Sequence, residues 1–155
     1  MRADVDIEGA DALGELLATL PYKPARRALR AGLNAGATPI QKAAKRNAPT
    51  DTKLLKKAIG KKAVTRRDGT VLVLIGARVG SKFEGVDRRG RPRKPVRYDH
   101  LVEFGHAMPG GGRVAPRSFL RPAYDGARSE AMKIVASKTG ERVEAEAAKL
   151  AARRG

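Results

Sequence analysis

Residues 61–80 read KKAVTRRDGTVLVLIGARVG. Two runs rich in β-branched residues meet at Asp68-Gly69, the strongest short signal for a β-hairpin, because the turn needs backbone angles that glycine adopts freely. Val71, Val73 and Ile75 share one face of the second strand. Elsewhere the apolar residues recur at helical spacing, so the period changes here and then changes back. The class that follows is α+β, a small antiparallel sheet packed against helices with a long basic loop and a C-terminal helix.

Upstream, a helix is expected over Asp11–Leu20, with Leu13, Leu16, Leu17 and Leu20 on one face and Pro21 as its stop. A second begins near Pro24 and carries Leu29, Leu33, Ala37, Ile40 and Ala44. Pro39 lies inside that pattern and should kink it or restart it, since Thr38-Pro39-Ile40-Gln41 reads as a capping box. Ala48-Pro49 ends it. Thr50 or Asp51 would cap a short helix carrying Leu54, Leu55, Ala58 and Ile59, closed by Gly60. Downstream, residues 80–97 read as an extended basic arm that folds on nothing of its own. Tyr98 to Phe104 reads as a third strand or an irregular segment ending in Gly105. MPGGGRVAP is a loop, and Ser118-Phe119-Leu120 an extended piece. Pro122 opens the last helix, with Tyr124, Ala127, Ala131, Ile134 and Val135 inward. Gly140 is a candidate break, and the Ala-rich remainder is helical in propensity but weakly anchored. All of this fits one domain spanning 1–155.

The core of such a domain is lean. Aromatic residues make up 4% of the 155, and small aliphatic side chains bury little area each, so the fold gains from neighbours. There is no cysteine, which excludes disulfides and thiolate chemistry. The acidic start has no signal-peptide pattern, and the longest aliphatic run, Val71 to Ile75, is too short to span a bilayer; a soluble, unsecreted protein with no membrane partner is expected. The net charge is +17, distributed as −4 over residues 1–20, +18 over 21–97 and +3 over 98–155. Such an excess attracts nucleic acid or acidic protein surface.

Catalytic signals are thin. His100, Glu103 and His106 are spaced three apart beside Asp99, but Gly105 argues against a helix reaching His106, and polar surface at a turn is the better reading. No carboxylate pair or nucleophile elbow appears, and PGGGR lacks the Lys-Ser/Thr of a phosphate loop. Catalytic residues, cofactor and metal are therefore all read as none. The arm carries Arg88, Arg89, Arg91, Arg93, Lys94 and Arg97. Its Arg89-Gly90-Arg91-Pro92 resembles the core of an AT-hook, in which arginines lie in a narrow minor groove. Sequence-blind attraction to phosphate is favoured over that; with ~6 contacts, log affinity falls with log salt at a slope near −5.

The segment after the arm carries a wider likeness. YDHLVEFGH (98–106) followed by APRSFLRPAYDGA (115–127) resembles the signature of the tail-completion, or neck, proteins that join head to tail in long-tailed bacteriophages. Tyr98, Leu101, Val102, Glu103, Phe104 and Gly105 match its first part; Pro116, Phe119, Leu120, Arg121, Pro122 and Ala123 match its second. Upstream, NAPTDTKLLKKAI is similar to a third motif through Ala48, Pro49, Asp51, Thr52 and Leu55. Lys53 stands where glycine is usual there, His106 where threonine is, and Asp99 where a small residue is.

The resemblance implies a non-enzymatic subunit of a homo-oligomeric, sixfold ring at the head–tail junction of a virion, assembled in the host cytoplasm. Its implied partners are copies of itself, other neck, connector and tail proteins, and transiently the genomic duplex. Pro49, Asp51, Tyr98, Glu103, Phe104, Gly105, Pro116, Phe119, Arg121 and Pro122 become structural or assembly residues. Glu103 and Arg121 are expected to pair, or to bind backbone groups of the adjoining loop. Tyr98, Phe104, Phe119 and Tyr124 are expected to cluster in the core. The rival reading is a nucleic-acid-binding accessory protein that uses the AT-hook-like arm.

Overall fold

The computed structural model describes residues 10–50, 53–87 and 89–152. The order of elements is α1 (Ala10–Ala18), α2 (Tyr22–Asn47), α3 (Leu54–Ala58), β1 (Ile59–Thr65), β2 (Val71–Ala77), β3 (Gly85–Val86), β4 (Pro92–Arg93), α4 (Asp99–Phe104), β5 (His106–Ala107), β6 (Arg113–Val114) and α5 (Leu120–Ala152). Three two-stranded sheets, β1–β2, β3–β4 and β5–β6, accompany the helices, so the class is α+β. The Asp68-Gly69 hairpin forms as its sequence predicts. Gly69 has φ +88, and the Asp68 carboxylate accepts the Thr70 N–H at 2.9 Å.

Neither the restart considered at Pro39 nor the break considered at Gly140 occurs. α2 runs through Pro39 and α5 through Gly140. A proline forfeits one backbone bond and a glycine about 1 kcal/mol. Burial beyond each position outweighs that cost, through Ala43 and Ala44 on α2, with Ala48 just past its end, and Val143 on α5. The end of α5 is therefore anchored, against expectation. Gly60 does not close α3 either; it lies inside β1, with the Arg78 side chain where a Cβ would go. Asp51, a candidate cap for α3, falls outside the described residues.

The chain divides into two compact units. One contains α1, α2 as far as Ala37, residues 63–73 and α5 from Ser129. Its core gathers Leu20, Ala28 and Val143, with Leu16, Leu17, Ala25 and Leu150 against them. Within it, Gly32 and Gly36 let α2 approach α5 closely. A Cβ on Gly32 would strike the Thr139 hydroxyl, and one on Gly36 would strike Val135 and the Ala131 carbonyl. The other unit contains residues 38–62 and 74–128. Its core gathers Ala43, Ala44, Ala48, Leu55, Ile59, Phe119 and Ala123, with Ala77, Tyr98, Val102 and Leu120 half-buried around them.

Candidate functional site

The segment 98–104 is a helix, α4, and not the strand or irregular piece its Tyr, Val and Phe content suggests. Gly105 ends it with φ +70 and ψ 174, a region essentially restricted to glycine. A Cβ there would also meet the Val114 carbonyl at 2.5 Å and the Pro116 nitrogen at 2.9 Å. The chain then makes the small β5–β6 hairpin, with His106 opposite Val114 and Ala107 opposite Arg113. It returns along the end of α4, where the Arg117 N–H donates to the Val102 carbonyl at 2.8 Å and the Ser118 hydroxyl to the Glu103 carbonyl at 2.8 Å.

Glu103 is the centre of this arrangement. It is 5% exposed, and its carboxylate sits on the N-terminus of the 33-residue α5. Oε2 accepts the N–H of Phe119 at 2.7 Å and of Leu120 at 2.9 Å, and Oε1 accepts that of Arg121 at 3.1 Å. The next residue, Pro122, has no N–H to satisfy. The four orphan donors of a helix start are thus all accounted for by one carboxylate and one proline, and the negative charge complements the helix dipole. Of the two partners expected for Glu103, the backbone is the one found. Arg121 contributes its amide, while its side chain is exposed.

The motif residues divide between anchors and surface. Phe119 is fully buried and Tyr98 packs half-buried against the core. Pro49 is half-buried just past α2, while Pro116 and Pro122 are exposed. The expected aromatic cluster is not made. Phe104 is 71% exposed and Tyr124 45%, because α4 turns Val102 and Glu103 inward and leaves the adjacent Phe104 outside. Met108 and Val114, on the hairpin that follows Phe104, are also exposed. The sequence reading missed both as surface residues, although apolar positions flanking PGGG are what a short hairpin there would display.

The arm does have structure of its own, which corrects the expectation that it folds on nothing. A single turn at Ser81–Phe83 buries Phe83, and Arg78 stacks on its ring at 4.3 Å. β3 and β4 then pair, Gly85 with Arg93 and Val86 with Pro92. Asp87 organises the turn between them. Its Oδ1 accepts the N–H of Arg89 at 2.9 Å and of Arg91 at 3.0 Å. Its Oδ2 accepts the guanidinium groups of Arg91 and Arg93, the Nε of Arg91 at 2.9 Å and the Nη2 of Arg93 at 3.0 Å. Burial opposes the charge on Asp87, but the Arg91 and Arg89 amides and the two guanidiniums outweigh it and hold the pKa at about 2. Lys94 pairs with Glu84 at 3.0 Å, and Pro95 is buried.

Arg89 and Arg97 are exposed, with no carboxylate paired to either among the described residues. Arg88 lies outside those residues. Gly90, at the tip, has φ +73, so Arg89-Gly90-Arg91 is a tight turn rather than the extended segment of an AT-hook. The spacing of Asp87 to Gly90, typical of a turn, is the signal that the run of charge obscured. His100 is exposed with its Nδ1 3.6 Å from Asp99, and Glu103 points into α5. Among the described residues, no three metal-ligating side chains converge.

The buried Glu103 carboxylate thus caps α5 beside apolar side chains, Phe104, Met108 and Val114, that are left outside. Residues 11–105, more than half of the chain, match the family described as "Bacteriophage HK97-gp10, putative tail-component", and the chain belongs to that family. It is a tail-related structural protein of a bacteriophage. The match ends at Gly105, so the likeness seen in residues 116–123 stands outside it. No curated protein and no solved structure matches the chain.

Proposed function

We propose that the chain is a non-enzymatic subunit of a homo-oligomeric ring, sixfold by the resemblance, at the head–tail junction of the virion. There it joins the DNA-filled head to the tail and leaves a passage for the genome. The observation that carries this reading is the exposure of Phe104, 71%, on the rigid corner made by Glu103 and Gly105. An aromatic ring left in water next to a fixed backbone suits a partner surface, and aromatic residues are the usual anchors of interfaces. The lean core supports it too. Copies of the chain and other neck, connector and tail proteins are the partners. Because Asp87 and Glu84 already offset two of the three charges of Arg91, Arg93 and Lys94, the arm faces protein more than the duplex.

The test is Phe104→Ser in phage particles imaged by negative stain, with the purified variant checked for an unchanged unfolding midpoint. Separated heads and tails are the expected outcome. Joined particles at normal yield from a folded variant refute the reading.

A further inference from the structure

A second concentration of positive charge uses none of the arm's residues. Lys23, Arg26, Arg27 and Arg30 lie at the beginning of α2, and Arg66 and Arg67 in the turn between β1 and β2. Specific contacts hold the two segments side by side. The Tyr22 hydroxyl rests against Gly69 at the turn, and the Arg30 Nη2 donates to the Ala63 carbonyl at 3.3 Å. The Arg26 guanidinium lies over the Tyr22 ring, 5.1 Å from its centroid.

Lys23, Arg27, Arg30, Arg66 and Arg67 are exposed, and Tyr22 beside them is 63% exposed. The one carboxylate in these segments, Asp68, has an oxygen engaged by the Thr70 N–H. Among the described residues, no salt bridge engages any of the six cations; Asp68 feels the charge of Arg66 alone among them.

We infer that this face binds the phosphate backbone of duplex DNA without reading base sequence. Five of its six cations are arginines, whose planar forks match phosphate oxygens bidentately; carboxylates fit the same fork, so the choice of the duplex rests on the spacing of the cations along the helix and on the tyrosine beside them. From Lys23 to Arg30 the helix advances about 10 Å at 1.5 Å per residue. That matches about three phosphates of one strand, spaced 3.4 Å apart along the duplex axis. Tyr22 adds a hydroxyl donor of the kind that contacts phosphate and sugar. The inference goes beyond the ring reading and stands without it, since it concerns a single chain.

The test is fluorescence anisotropy of a labelled duplex with the full chain across a salt series. The variant is Arg27→Gln/Arg66→Gln/Arg67→Gln, three exposed side chains. We expect affinity to fall on the order of tenfold or more and the log–log salt slope to flatten by about 2–3, at roughly 0.9 per lost phosphate contact. A·T-rich and G·C-rich duplexes should behave alike, and Arg89→Gln/Arg97→Gln in the arm should change the slope less than the triple variant. Wild-type affinity and slope in the triple variant overturn the inference. So does displacement of the duplex by polyglutamate at equal charge concentration, which would make this an acidic-protein surface. Loss of the ring in particles would not bear on it.

Discussion

Replacing Glu103 with alanine removes the acceptor for three backbone donors at 2.7, 2.9 and 3.1 Å. The cost follows from where each donor is left. Phe119 is fully buried, so its N–H has no water to turn to, and an unsatisfied buried donor costs about 1–3 kcal/mol. The amides of Leu120 and Arg121, in residues that are half-buried and exposed, regain solvent. Their loss resembles that of a helix cap, about 0.5–2 kcal/mol. The sum is about 3 kcal/mol. At roughly 2–4 °C per kcal/mol for a chain of this size, the thermal midpoint followed by circular dichroism falls by about 10 °C.

Glu103→Gln keeps the volume and one oxygen acceptor, so about half that loss is expected. Arg121→Gln touches only an exposed side chain and should stay within about 0.5 kcal/mol. Two results refute the reasoning. One is a Glu103→Ala midpoint within about 2 °C of wild type. The other is an Arg121→Gln loss equal to that of Glu103→Ala, which would transfer the energy to a side-chain pair.

Gly32→Ala should destabilise although alanine is the better helix former, because its Cβ would occupy the place of the Thr139 hydroxyl. Overpacking of about 1–3 kcal/mol exceeds the ~1 kcal/mol gained in propensity, and a Thr139→Ala background should recover part of the loss in a double-mutant cycle. Gly126→Ala and Gly140→Ala, with nothing within 4 Å of the new Cβ, should stabilise, by about 0.5–1 kcal/mol. For the arm, the folded pKa of Asp87 lies below its ordinary 3.8, at about 2. Its contribution is therefore complete above 3.8 and is lost as pH falls toward 2. Amide exchange at Arg89 and Arg91, corrected for intrinsic rates, should accelerate through that window, and Asp87→Asn should speed tryptic cleavage there several-fold at neutral pH.

The hairpin at Asp68-Gly69 and the helical stripes of α1 and α2 were legible because their signals are local. A turn dipeptide and an apolar period need no knowledge of the rest of the chain. What escaped was set by contacts distant in sequence. α4 has 6 residues, too few to show a period, and its apolar composition suggests a strand until Glu103 is seen to serve a helix 16 residues away. Motif likeness marked Glu103, Gly105 and Arg121, but not that the carboxylate would meet the Arg121 amide instead of its guanidinium. Nor does composition tell which of four aromatics goes inside. Phe119 does, held between α2, α3 and α5, while Phe104 one residue past the capping glutamate does not. Pro39 as a restart and Gly140 as a break misled because a breaker is a local cost, and the packing that overrides it lies elsewhere.

The turn built on Asp87 bears on how tightly a small protrusion can grip. A floppy ten-residue finger would surrender on the order of 10 kcal/mol of backbone freedom when it lodged somewhere, at about 1–2 kcal/mol per residue. Here β3, β4 and one carboxylate have frozen most of that motion beforehand. Whatever receives the tip therefore meets a stiff peg, and a modest footprint suffices where a limp tether would need a broad one.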